Sequence, residues 1–169
     1  MMSKKFYETS IAANSFSITL LRDALLPSLI GQEGDILYWA GKKIARQFVL
    51  TKDEEIPLFF KQAAWGSLAR VKSKKNTQTF ELTGPVIETR QGLGQEANFL
   101  LEAGFLAETI QNQLGHPSEA IVASSKKNSV TLLVKIDLET TLPSENFSKS
   151  DVVTPQPNDD EATELRRSR

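Results

Sequence analysis

From Glu96 to Leu114 the chain carries one broad apolar stripe, Phe99, Leu100, Ala103, Leu106, Ala107, Ile110 and Leu114, at helical spacing. Gly115 stands where a left-handed residue closes a helix, and Pro117 forbids continuation. The period then changes. Val130, Leu132, Val134 and Ile136 alternate with Thr131, Lys135 and Asp137, so this stretch has one buried face and one wet face, as in an antiparallel sheet. Glu119–Ser125 reads as its hairpin partner across Lys126-Lys127-Asn128-Ser129.

Upstream, Ile18, Leu21 and Leu25, with Leu20 and Ala24, mark a helix from Ser17 to about Ile30, which Gly31 ends. Asp35 opens a second helix striped by Leu37, Ala40, Gly41, Ile44, Ala45 and Phe48, with Lys42, Lys43 and Arg46 opposite. Thr51-Lys52-Asp53-Glu54 fits a capping box for a third, through Phe59, Phe60 and Ala63 to Gly66. Leu68 to Lys74 and Thr77 to Leu82 alternate around Lys75-Asn76, predicting a hairpin continued by Val86 to Thr89. The order ααα, ββ, α, ββ predicts an α+β fold: N-terminal helices, then an antiparallel four-stranded sheet built as hairpin–helix–hairpin. Residues 1–138 make one domain, and 139–169 a polar acidic tail, largely disordered beyond about residue 145.

Composition narrows the chemistry. The body to Leu138 holds 16 basic and 14 acidic residues and the remainder 4 and 7, an imbalance too small to dictate a polyionic partner. With no cysteine, disulfides, thiolate metal sites and cysteine nucleophiles are all excluded, which fits the cytoplasm. No apolar run approaches the roughly 20 residues of a membrane span. Lys4-Lys5 is followed by Phe6-Tyr7-Glu8-Thr9 instead of the apolar core of a secretory signal.

Each motif has a plainer reading beside its chemical one. Gly92-Leu93-Gly94-Gln95-Glu96-Ala97 satisfies G-x-G-x-x-A, but a dinucleotide site needs a parallel βαβ unit, and Glu96 places a negative charge where phosphate would sit. An anion held by Arg90 and this loop is the lesser form of that idea. His116, the single histidine, cannot build an ordinary zinc site; it could ligate haem iron, and its plainer reading beside a helix end is a surface residue or a C-cap. Arg70, Lys72, Lys74 and Lys75, with Lys126-Lys127, could form a nucleic-acid ribbon, but stacking aromatics are missing apart from Phe80, and charged strand edges guard against aggregation. Nucleic acid is not an expected partner. Trp39, Trp65, Phe59 and Phe60 read as core filling, and Asp53-Glu54-Glu55 as dipole-matched residues at a helix start. No catalytic constellation, metal site or cofactor is expected.

Ile36-Leu37-Tyr38-Trp39-Ala40-Gly41-Lys42-Lys43-Ile44-Ala45 on an early helix and Leu101-Glu102-Ala103-Gly104-Phe105-Leu106-Ala107-Glu108 on a late one resemble the YslB family of small bacterial proteins, across about residues 15 to 138. More distantly the chain looks like the ligand-binding superfamily of vinyl-reductase-type domains, NO-signalling haem proteins and the Bet-three-like subunits of the TRAPP Golgi transport complex. That likeness implies an α+β fold, homodimers and, in some members, an apolar cavity between helices and sheet. Vinyl-reductase-type relatives carry cysteines where this chain has Ala123-Ser124-Ser125 and Thr131-Leu132-Leu133, so their thiol chemistry does not transfer. Independently of family, Gly41 and Ala45, like Ala103 and Ala107, lie four apart and admit either a neighbouring backbone or a ligand.

The expectation is therefore a non-enzymatic binding module. Its ligand-binding residues are Leu37, Gly41, Ile44, Phe99, Ala103 and Leu106, holding an apolar small molecule between helices and sheet. The alternative is a structural or adaptor protein with no pocket, acting through a dimer face or a partner surface.

Overall fold

The computed structural model describes residues 2–144 and 151–167. Its N-terminal half is helical: α1 (Met2–Ala12), α2 (Phe16–Thr19), a π-helical segment (Leu20–Leu25), α3 (Leu26–Ile30), α4 (Ile36–Gln47) and α5 (Glu55–Gln62). Then come the hairpin of β1 (Ser67–Lys74) and β2 (Thr77–Thr83), α6 (Pro85–Gln91), α7 (Leu100–Leu114), the hairpin of β3 (Ser118–Ser125) and β4 (Ser129–Ile136), and finally α8 (Asp159–Arg167). The fold is α+β, as the change of period implied.

β2 and β4 pair in the middle of the sheet, Phe80 opposite Leu132 and Leu82 opposite Val130, giving the antiparallel order β1-β2-β4-β3. Leu68, Phe80, Leu82, Val130, Leu132, Val134 and Ile136 are all buried, as alternation requires of one face. Helix α7 packs against β3 and β4, and α4 packs against α7. With neighbours on both sides, Leu101 through Ile110 are buried without a break. Two glycines set the depth of the α4–α7 crossing. A Cβ on Gly41 would stand 2.1 Å from the Leu101 carbonyl oxygen, and one on Gly104 would stand 1.9 Å from that of Tyr38. The two backbones touch.

Several local expectations are corrected. Val86–Thr89 does not continue the hairpin but lies in α6: Gly84, at φ +111°, turns the chain, and Pro85 in the first helical turn presets the helical φ. Helix α7 starts at Leu100 instead of Glu96: Phe99 is its N-cap, and the Asn98 side-chain oxygen just before it turns back to accept the otherwise free Leu100 N–H at 2.8 Å. At α5 the Thr51 side chain caps nothing; the Glu55 carboxylate accepts from the Thr51 and Lys52 N–H groups at 2.9 and 3.0 Å. Helix α1 had no counterpart among the expected elements.

Of the tail expected to be disordered, residues 145–150 and 168–169 lie outside the described residues. Val152 forms a parallel bridge with Val49, with Val49 N–H to Asp151 O at 2.8 Å and Val153 N–H to Val49 O at 2.9 Å. Glu164 on α8 pairs with Lys61 at 2.8 Å. No helix among the described residues is long and apolar enough to cross a membrane.

Candidate functional site

Between Phe16 and Ile30 the chain runs as one helical rod whose only charges are Arg22 and Asp23. Both are 4 % exposed, whereas Leu20, Leu21 and Leu25 are nearly half exposed and Leu29 is 71 % exposed. The rod is inside-out: the leucines that mark it as a helix face outward, and its charges face in. Leu26 and Ile30 alone among its large side chains lean on the core. Leaving four leucines half in water forgoes roughly 1 kcal/mol apiece, so something on the inner side must fix the direction.

That something is a buried group of four charges. Arg90 of α6 clasps the Asp23 carboxylate with two nitrogens, Nε to Oδ2 at 2.9 Å and Nη2 to Oδ1 at 3.1 Å. Arg22 binds Glu102 of α7 through Nη2 to Oε2 at 2.9 Å, and its Nη1 stands 2.8 Å from Oε1. Arg90 Nη1 closes the group at 3.4 Å from the same Oε1. Both guanidiniums also reach the Asn98 carbonyl, Arg90 at 2.9 Å and Arg22 at 3.4 Å. Phe99 lies 4.5 Å beneath the Arg90 guanidinium, and Trp65 lies 5.9 Å from that of Arg22. Burial pushes the Glu102 carboxyl up, but the two guanidiniums outweigh it and hold the group below its usual range. The Arg22 Nε has no hydrogen-bond partner, so the rod is held at a cost in desolvation that only the pairing offsets.

Behind this group opens a crevice of about 540 Å³ between the end of the rod, the start of α4, the 95–100 loop and β3. Ile30, Leu37, Phe99, Leu100 and Val122 give it an apolar wall, and Gln32, Asp35, Gln95, Glu96 and Asn98 a polar one. Of the residues expected to bind a ligand, Leu37 and Phe99 line this crevice. Gly41 is spent on the contact with the Leu101 backbone, Ala103 and Leu106 are sealed in the core, and Ile44 packs against it.

A second cluster lies where α4 meets β3. Lys42, buried, pairs with Glu119 at 2.9 Å and approaches Glu108 at 3.9 Å, while Arg46 binds Glu108 at 2.7 Å. Tyr38 donates to Glu119 and accepts from the Ala120 N–H at 3.0 Å, so it occupies the free edge of β3. Burial and the adjacent carboxylate push its phenol well above the usual range. This is a clasp between elements, with its charges matched.

The remaining candidates separate. The Gly92–Ala97 loop does not open a helix, since α7 begins at Leu100, and Arg90 is committed to Asp23 and Glu102. His116 Nδ1 lies 2.7 Å from the Thr140 carbonyl. Arg70 is engaged by Asp53 at 2.7 and 3.0 Å, and that pairing holds the Asp53 carboxyl below its usual range. Phe59 stacks on Phe105 at 4.6 Å with Trp65 and Phe60 edge-on around it, whereas Trp39 is exposed. No group of three or more His, Asp or Glu among the described residues is placed to hold a metal ion. Sequence reasoning missed Arg22, Asp23 and Glu102. The available signal was their isolation, two charges alone in a long apolar helix and an acid at the edge of the apolar stripe of α7.

A family profile described as "Protein of unknown function (DUF2507)" matches residues 15–135. The chain is 41% identical over 131 residues to a protein of Bacillus subtilis (strain 168) described as "Uncharacterized protein YslB", an alignment covering 76% of this chain and 88% of that one.

Proposed function

The chain belongs to the DUF2507 family, as its resemblance to YslB implied, and from that premise we propose that it is a non-enzymatic interaction module of the cytoplasm. Its working surface is the outward leucine face of the rod. The observation that carries this reading is the inversion itself: four leucines in water above two buried charges. An apolar face free of charge on a soluble domain is the mark of a surface that is covered in use. The test is retention of protein from an extract of the native cell on the immobilised full chain and on Leu25→Glu/Leu29→Glu. A defined protein, its own copy included, retained by the first and lost by the second, with unchanged circular dichroism, supports the reading. Equal retention on both overturns it.

A second reading rests on the crevice, whose volume suits a small molecule. Its mixed walls favour an amphipathic ligand, the apolar part against Leu37, Phe99 and Val122 and the polar part toward Gln95 and Asn98. Native mass spectrometry of protein taken from its own cell should then show an adduct that Val122→Trp, which fills the crevice, removes. Bare protein in both spectra disposes of this reading.

A further inference from the structure

We infer that the leucine face is covered by the same face of a second copy of this chain, the two rods crossing antiparallel about a two-fold axis near Leu25. The inference rests on the interaction-module reading and names its partner. In such an arrangement Leu25 meets its own equivalent, and Leu21 of each copy meets Leu29 of the other, as an isologous contact demands. Leu21, Leu25 and Leu29 stand four apart and span about 12 Å of rod.

Three observations select a second copy over other occupants. First, the outward face from Phe16 to Ile30 carries no charge at all, because the rod's two charges are turned inward. A face with no charge cannot repel itself across a two-fold axis, and it offers a foreign partner no charge pattern to recognise; homodimer interfaces are the apolar extreme. Second, the half-exposed Tyr7 of α1 stands edge-on to Phe16 at 5.0 Å and continues the exposed apolar surface at the start of the rod. With the four leucines this is on the order of several hundred Å², a large part of the ~800 Å² that each partner contributes to a standard interface. Third, the inner side is fixed by Asp23, Arg22, Arg90 and Glu102, so the face is presented rigidly and little ordering remains to be done on association. A lipid surface fits less well, since an interfacial helix sets basic residues beside its apolar face and the rod's one arginine is buried.

The absence of cysteine permits a direct test. Sedimentation velocity of the full chain over a wide concentration range should give a dimer, and Leu25→Glu/Leu29→Glu should weaken it by roughly 100-fold or more. Mild oxidation of Leu25→Cys should yield a covalent dimer, and Val71→Cys, exposed on β1, should not. A wild-type chain that stays monomeric throughout overturns the second copy; if the leucine variant nonetheless loses a captured protein, the interaction-module reading stands without it. A dimer that survives Leu25→Glu/Leu29→Glu places the interface elsewhere and overturns the inference.

Discussion

Helix α7 receives two neighbours by different means. Toward α4 it offers Gly104 against the Tyr38 carbonyl and takes Gly41 against its own Leu101 carbonyl, so that the backbones touch, and the Glu108 pairs with Arg46 and Lys42 lie further along the same seam. Toward the rod it offers Glu102, fully buried between two arginines. The glycine crossing fixes distance; the ionic group fixes direction, since only one side of the rod carries the charges that Glu102 and Arg90 require. An apolar stripe would have docked the rod the other way round. The comparison teaches that a helix's hydrophobic stripe identifies the helix without deciding which way it faces when a pair of charges competes for the inside.

The largest effect should come from breaking the ionic junction on one side. Glu102→Leu leaves Arg22 unpaired and should cost about 3–5 kcal/mol of stability in urea unfolding. Replacing all four charges, Arg22→Met, Asp23→Leu, Arg90→Met and Glu102→Leu, should recover most of that loss. A single variant as stable as the parent would mean the rod is held by something else. At the glycine junction, Gly104→Ala puts a methyl group into the Tyr38 carbonyl and should cost about 2–3 kcal/mol, with the Tyr38 clasp on β3 loosening and its fluorescence changing accordingly.

Acid should separate the junctions by a smaller margin. Glu102 is held below its ordinary value of 4.5 in the folded chain, so as the pH falls the unfolded chain takes up the proton first. Its contribution is complete above about pH 4.5 and drains away as the pH drops through the folded-state value. Unfolding measured at a series of pH values should show a shallower acid slope for Glu102→Gln than for the parent; identical slopes would deny Glu102 its role. The smallest effect belongs to the rod's outer face, where Leu25→Ser, which gives up only the buried half of one side chain, should change the stability of the isolated chain by about 1 kcal/mol, measured at a dilution where no association occurs.

What the sequence made legible follows the same division. The period of α7, its closure at Gly115 with φ +71°, and the alternation of β2 and β4 are local patterns, and all are observed. Gly41 stood out because it lies on the α4 stripe; Gly104 lies off the stripe of α7 and was passed over. Gly84-Pro85 held the helix-start signal for α6, but Val86, Ile87 and Thr89 outweighed it by their strand preference. The ionic group was illegible for another reason. Arg22 meets Glu102 across 80 positions and Asp23 meets Arg90 across 67, and neither pair leaves a trace at short range.

The π-helical segment Leu20–Leu25 has a consequence of its own. A π turn holds one more residue than the α-helix around it needs, so the rod carries a spare residue at the place where it changes from α2 to α3. Deleting Ala24 would let the segment relax to plain α-helix with the turns on either side kept close to their present phase, because a π turn exceeds an α turn by about one residue. Arg22 and Asp23 would still face inward while Leu26 and Ile30 lean on the core, whereas removing a residue from a plain α-helix such as α4 would turn one flank by about 100° against the other. The rod can therefore lose a residue between 20 and 25 and still turn the same side to the world, a latitude in chain length that the plain α-helices around it lack.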